Sequence, residues 1–267
     1  MTGDLFDAAS MYDEDYLHFF VGAESGGAPT HGPIVGTAYP GATAAADLVW
    51  RLLGLEPGMA VLDLCCGHGA LANELASRGC RVTGLDSSAV FLDRARADAG
   101  ALEVEVDYVA GDMRALPGEW DGRFDRVVNW TTAFGYFDDD ANRGVLDEIV
   151  RVLRPGGRLA MDLDNLVKFL ASYTPSRVTA ARANGDLLVD RHHLDPLTLR
   201  FEVERTVVRD GRARTLTFLK RLFGFPELRD WCTAAGFTAV TAYGEDGEPL
   251  RADHNRMVVI GDLRPPG

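Results

Sequence analysis

Lysine is nearly missing from this 267-residue chain: Lys168 and Lys220 are the only two, so positive charge is almost all arginine. Basic residues as a whole are outnumbered, 27 Lys and Arg against 40 Asp and Glu, for a formal charge of −13. A face that grips a phosphate backbone is normally basic, so this balance argues against nucleic acid as a partner and, equally, against an anionic membrane surface. Hydrophobic runs are short, far below the roughly 18–20 residues that span a bilayer. The opening stretch, MTGDLFDAASMYDEDYLHFF, carries acids where a secretory signal carries bases, which predicts a cytoplasmic protein. Cysteine is scarce too. Four (Cys65, Cys66, Cys80, Cys232) cannot frame a chain this long with disulfides. The adjacent Cys65 and Cys66 lack Cys-x-x-Cys spacing and no second ligand pair follows, so no metal is expected and the pair reads as small apolar side chains in a tight turn.

What is present is an ordinary core: 46% hydrophobic and 25% charged residues, enough for one large domain or a core with an insertion. From Val61 to about Asn165, short β-branched runs alternate with helical stretches, the signature of a parallel sheet flanked by helices. AVLDL, RVTGLD, VEVDYVAGD, RFDRVVNW and RLAMDLDN read as strands one to five, the last entered through an RPGG turn. ALANELASRG, SAVFLDRARADAG (capped by Ser87 or Ser88) and DDDANRGVLDEIVRVL read as the helices between them. The rhythm changes near Tyr173. From DLLVDRHH to TFLKRLF apolar and polar residues alternate through turn signals at Asp195-Pro196 and Asp210-Gly211, which predicts an antiparallel meander. A helix (PELRDWCTAAGF) and two strands (TAVTAYG, RMVVIGDL) follow. The expected division is an N-terminal helical cap with a mobile loop (1–57, the loop being GAESGGAPTHGP), a core of 58–172 and 222–267, and a β insertion of 173–221. The fold class is α/β, with a Rossmann-like seven-stranded mixed sheet, mostly parallel with an antiparallel last strand, and helices on both faces.

The chemistry concentrates at strand ends. In VLDLCCGHGA, Gly67 and Gly69 stand between a buried strand and a helix, where missing Cβ atoms let backbone approach a ligand beside free N–H groups. Gly67-x-Gly69-x-x-Ala72 also satisfies the dinucleotide pattern, so a nicotinamide-dependent oxidoreductase is one reading, and a plain strand-to-helix turn is another. Asp63 lies inside the first strand, where a carboxylate needs a partner to be buried. Asp86 ends the second strand, placed for ribose hydroxyls, and Asp112-Met113 ends the third, beside the adenine end of a nucleotide-like ligand.

The ordered set VLDLCCGHG, VTGLDSS, AGDMRALP, FDRVVNWTTAFGYFDD and RVLRPGGRLAMDLDN closely resembles class I S-adenosylmethionine-dependent methyltransferases, from about Gly58 to the C-terminus apart from the meander. The GYFDDD run and the late meander resemble a bacterial small-molecule branch of that family. The resemblance implies S-adenosyl-L-methionine as cofactor, S-adenosyl-L-homocysteine as product, and a site made by Asp63, Cys65, Cys66, Gly67, Asp86, Ser87, Asp112, Met113 and Asn129. In it Asp63 and Gly67 hold the methionine portion, Asp86 the ribose, Asp112 and Met113 the adenine, and Asn129 lies near the methionine portion and substrate. Many members have an arginine where this chain has Ala70, so contacts of that side chain do not carry over. The implied reaction is methyl transfer to an O, N or C atom of a small molecule. A cofactor-binding protein that transfers no methyl remains the second reading, and the oxidoreductase the third. Strand four ends NWTT and lacks the Asn-Pro-Pro-aromatic turn that grips an amino nitrogen, which argues against nucleobase methylation.

On the substrate side, methyl transfer needs a held nucleophile, and a base only if the acceptor loses a proton. His18, His192, His193 and His254 are the candidate bases, each weighed against a solvated or packed histidine; of His192 and His193 at most one can face a pocket under the sheet. MYDEDYLHFF would place Tyr12, Tyr16, Phe19 and Phe20 on one helical face, either packing or offering rings to a cation. Tyr136 would line the acceptor pocket or pack beneath the next helix. The meander is expected to roof the cofactor, burying its apolar side against the core or against a second subunit in a homodimer.

Overall fold

A computed structural model describes residues 11–21, 41–182 and 184–265. The glycine-rich stretch at 22–33 lies outside the described residues, as does much of the expected cap.

Seven strands form one sheet: β1 (Ala60–Leu64), β2 (Arg81–Asp86), β3 (Val106–Ala110), β4 (Phe124–Asn129), β5 (Leu153–Asp164), β10 (Ala239–Tyr243) and β11 (Arg256–Asp262). Their order is β10-β11-β5-β4-β1-β2-β3, with β1 to β5 mutually parallel and β11 antiparallel to both neighbours. The order reverses between β1 and β4, and at such a reversal an open α/β sheet has its crevice beyond the carboxyl ends of the strands. Central position explains the Val-Val core of β4: Val127 and Val128 are covered on both faces.

The helices are α1 (Glu14–Phe20), α2 (Ala42–Leu53), α3 (Ala70–Ser77), α4 (Ala89–Ala101), α5 (Asp139–Val152), α6 (Leu166–Ala171) and α7 (Phe225–Ala235). α5 shows why these segments coil and dock. Asp138 caps it by accepting from the Ala141 amide at 2.8 Å, acids start it, Arg151 ends it, and Val145, Leu146, Ile149 and Val152 make the buried stripe. Ser88, rather than Ser87, caps α4 through the Phe91 amide.

Three expectations shift. RPGG is no turn before β5, since the strand already runs from Leu153, with a register irregularity against β4 between Phe124 and Arg126. Tyr12 is outside α1, because the Asp13 carboxylate caps that helix by accepting from the amides of Asp15 and Tyr16. The insertion has a strand more than the alternation suggested, β6 (Ser176–Ala181), whose period is broken by a register shift between Val178 and Ala180. It joins β7 (Leu187–Asp195), β8 (Arg200–Arg209) and β9 (Arg212–Arg221) in an antiparallel order β6-β7-β8-β9. Asp210 and Gly211, both at positive φ, make the two-residue turn that matches strand twist between β8 and β9.

The apolar side of this second sheet is covered by its own chain. Leu188 and Val207 pack with Phe19 and Phe20 of α1, and Phe201, Val203 and Phe218 pack with Met11, Tyr136 and Phe169. The other side presents Arg191, His193 and Glu202 to solvent. No second copy is needed to bury the insertion. Among the described residues no helix is long and apolar enough to cross a membrane.

Candidate functional site

β1, β2 and β4 bring their last residues to one crevice. Asp63 is buried, and its Oδ2 has no hydrogen-bond partner. Burial, then the nearby Asp86 charge, pushes its carboxyl up to about 7, with the Ala72 backbone amide pulling the other way. Asn129, fully buried at the tip of β4, donates through Nδ2 to the Leu64 carbonyl at 3.0 Å and leaves Oδ1 without a partner. Two buried acceptors without donors thus stand at neighbouring strand ends. Unmet buried polar atoms are uncommon in native proteins because each forfeits its hydration. A cationic, donor-bearing ligand group would satisfy both.

Asp86 accepts from the Gly67 amide through Oδ2 and from the Ser88 amide through Oδ1, each at 2.8 Å. Burial raises its carboxyl, and the Ser88, Gly67 and Ser87 amides partly offset the rise. Its spare lone pairs suit a ribose diol. Asp112, two residues past β3, is half exposed and forked onto Arg114, which holds its carboxyl below the usual range although partial burial pushes it up. Met113 is buried with its Sδ 3.4 Å from Cys65 Sγ, so the two sulfurs form an apolar wall between Asp63 and Asp112. Burial, together with the Asp63 and Asp86 charges, raises both Cys65 and Cys66 thiols well above their ordinary value.

The two glycines differ. Gly67, at φ +56, turns its amide to Asp86. A Cβ on Gly69 would sit 2.2 Å from Tyr108 Oη and 2.7 Å from Ala95 Cβ, so this position is bare to let the α3 turn approach β3 and α4. That is helix packing, not ligand approach.

The aromatic candidates close the crevice. Tyr12 Oη meets Tyr136 Oη at 2.9 Å, and the Tyr12 carbonyl accepts from Ser88 Oγ at 2.7 Å. Tyr12, Tyr16 and Phe91 meet at steep angles, Tyr12 edge to face on Phe91 and the other pairs tilted, with centroids 5.3 to 5.6 Å apart. Phe20 meets Tyr16 with ring centroids 4.7 Å apart and carries the group into the apolar cluster with Leu188 and Val207. The strap they form is lashed to the insertion by Arg209 and Arg214 on Asp15 and by Arg182 on the His18 and Phe19 carbonyls.

Of the histidines, His18 bonds Asp186 at 2.9 Å and belongs to that lashing. His193 lies exposed on the outer side. His254 is fixed by the Arg251 amide and Asp246. His192 faces inward, buried. Sequence reasoning missed Lys220, which is buried with its Nζ 3.3 Å from Asp164 and 5.9 Å from the Tyr136 ring centre; burial draws its ammonium down to about 8. Asp164 also meets Arg256, which forks onto Asp162 and bonds Thr132 Oγ1 at 2.6 Å. The one available signal was strand parity, since even positions of β9 face inward. A hollow of about 860 Å³ at the opposite sheet end is walled by Arg81, Arg96, Arg123 and Arg154, and three of these already pair with acids. Among the described residues no group of three His, Cys, Asp or Glu could hold a metal.

Residues 61–157 match a family described as a methyltransferase domain. This segment is similar to a methyltransferase domain. It holds Asp63, Gly67, Asp86, Asp112 and Asn129 together. The chain is 39% identical across 123 residues to demethylmenaquinone methyltransferase of Thermus thermophilus, 43% of this chain and 54% of that protein. The chain spans about half the length of the curated relatives it matches at this level. A Geobacillus protein named as a methyltransferase matches further, 29% identical over 73% of this chain and 81% of its own. In fold, the methyltransferase CcbJ of Streptomyces caelestis superposes with a TM-score of 0.71 at 22% identity, covering 97% of this chain and 96% of its own. CalS10 of Micromonospora echinaspora, an amino pentose methyltransferase solved with S-adenosylmethionine, gives 0.60 at 22% identity, covering 82% and 89%. The insertion is therefore shared architecture at least with CcbJ, whose match runs almost end to end.

Proposed function

We propose that the protein transfers the methyl group of S-adenosyl-L-methionine to an oxygen, nitrogen or carbon atom of a small molecule. One observation carries this reading: the two donor-free buried acceptors, Asp63 Oδ2 and Asn129 Oδ1, beside the Gly67–Asp86 turn. The residues present fit the cofactor. Asp63, with Asn129, would hold the ammonium of the methionine portion, Asp86 the ribose hydroxyls, and Asp112 and Met113 the adenine, with Cys65 and Ser87 framing the backbone between. When bound, the cofactor supplies an electrophilic methyl. The chain's own work is to orient and to dry the site. Tyr12, Tyr16, Phe91 and Tyr136 present ring faces that exclude water and favour a cation. Residues 58–172 and 222–267 act as the cofactor core, 173–221 as the roof and part of 1–57 as the strap.

Small-molecule acceptors are supported by the acidic balance of the chain and by the activities for which its structural neighbours are named, among them an amino pentose and a sugar N-methyltransferase. Calorimetric titration tests the proposal. S-adenosylhomocysteine should bind and NAD should not; binding of NAD alone would overturn it. Transfer of labelled methyl into a metabolite extract then separates a transferase from an inert binder.

A further inference from the structure

Two buried polar atoms of the insertion sheet have no hydrogen-bond partner: Arg177 Nη2 on β6 and His192 Nε2 on β7. Both side chains are on the inner face. Arg177 is cross-strand partner to the buried Asp190, and His192 lies two residues beyond Asp190 on the same strand, also buried. The rest of this polar row is satisfied. Asp190 takes both prongs of Arg205 at 2.8 Å and the Thr179 hydroxyl at 2.5 Å. Apolar clusters flank the row, Leu188, Val207 and Phe20 on one side and Val203, Phe201 and Phe218 on the other.

The two orphans are of opposite kinds. Arg177 makes one side-chain bond, from Nε to Thr179 Oγ1 at 3.3 Å, and has no ion pair among the described residues. The groups acting on it are Asp190, Arg205 and Asp164, whose carboxylates are already engaged by Arg205, Lys220 and Arg256. Around this face and its floor four cations (Arg177, Arg205, Lys220, Arg256) meet three carboxylates (Asp162, Asp164, Asp190), inside a chain of formal charge −13. A half-buried cation whose Nη2 is shut off from water without an anion is costly. His192 is different: its Nδ1 lies 2.8 Å from the Thr174 carbonyl, which can only accept, so Nδ1 carries the proton and Nε2 a lone pair.

We propose that this inner face binds the methyl acceptor, and that the acceptor is a small carboxylic acid carrying a hydroxyl or amine: its carboxylate accepts from Arg177 Nη2 while its O–H or N–H donates to His192 Nε2. This rests on the methyl-transfer reading above. α1 covers the face and is held there by side-chain bonds and ion pairs, so the acceptor reaches the two atoms when those tethers give way.

The test uses the full chain saturated with S-adenosylhomocysteine and a panel of probes: 2-hydroxybenzoate, 4-hydroxybenzoate, 4-aminobenzoate and lactate, each with its primary amide. Calorimetry should show at least one acid binding tenfold or more tightly than its amide. Arg177→Gln should bring acid and amide within about twofold, and Arg177→Lys should restore part of the preference, while S-adenosylhomocysteine affinity, unchanged in both variants, reports an intact fold. His192→Phe should weaken 4-hydroxybenzoate but leave benzoate, added to the panel as the hydroxyl-free control, as it is. If acids and amides bind alike, if no acid binds, or if the preference survives in Arg177→Gln, the inference is overturned. Failure of S-adenosylhomocysteine to bind the wild-type chain would instead overturn the methyl-transfer reading beneath it.

Discussion

The crevice of the seven-stranded sheet and the inner face of the four-stranded sheet are both buried and polar, yet they lack opposite things. The crevice has acceptors without donors, Asp63 Oδ2 and Asn129 Oδ1. The insertion has a cation without an anion, Arg177, in a row whose other charges are paired. Complementarity then assigns a cationic ligand to the first and an anionic one to the second. Each unmet group destabilises the free protein and becomes useful when its ligand arrives. Between them stand Tyr12 and Tyr136, bonded hydroxyl to hydroxyl, with Asp86 behind one and Asp164 and Lys220 behind the other.

The contrast can be broken first at its floor. Arg256→Gln strands Asp162 without its cation, leaves Asp164 with Lys220 alone, and should cost about 3–5 kcal/mol, read as a loss in chemical denaturation. If the variant is as stable as the parent, the buried network is not what fixes β11 against β5.

The next largest effect is two-sided. Asp63→Asn should weaken S-adenosylhomocysteine by roughly 2 kcal/mol or more, because a charged acceptor is lost. The same change should stabilise the free protein at pH 8 by on the order of 1–3 kcal/mol. The sign follows from Asp63 being raised to about 7 when folded, against 3.8 as its ordinary value. Folding then favours the protonated form, and the penalty is absent below about pH 4, grows as pH rises and is complete above about 7. Thermal melts at pH 5 and 8 with and without ligand check both halves.

Asp86→Ala should weaken the cofactor by roughly 1–3 kcal/mol through the ribose hydroxyls, and an unchanged dissociation constant would remove Asp86 from the site. A gentler probe needs no substitution. Since a cationic ligand prefers Asp63 ionised, S-adenosylhomocysteine affinity should climb up to about tenfold from pH 6 to 7.5 and then level off. The smallest effect sharpens the comparison from outside: His193→Ala, on the exposed face, should leave stability and binding within about 0.5 kcal/mol.

Much of the crevice was legible in the sequence because parallel strands bring their carboxyl ends to one edge. Once AVLDL, RVTGLD and RFDRVVNW read as strands of one parallel sheet, Asp63, Asp86 and Asn129 fall along its carboxyl edge, and the pairing of β1 with both β2 and β4 makes them neighbours. Gly69 shows the limit of that reading, since the residue its missing Cβ spares is Tyr108, about 40 positions away and invisible to any local pattern. The insertion was harder. Its alternation gave strands and hairpins, but period two is silent about which face is covered and by what. Asp190 opposite both Arg177 and Arg205 is a fact of register, set by hairpin lengths and by the irregularity in β6. Read singly, those charges look like a solvated edge.

The sequence by itself determined where a nucleotide-like ligand could sit, because the residues at strand tips are local information that a parallel sheet converts directly into place. Only the tertiary structure decided what roofs that place. α1 settles across the insertion through Asp13, Asp15 and the arginines of β8 and β9, roughly 200 residues away, and brings the Phe20 ring to 5.8 Å from the buried Arg205 guanidinium. Charge burial is a property of which surfaces meet, and no stretch of chain carries it alone.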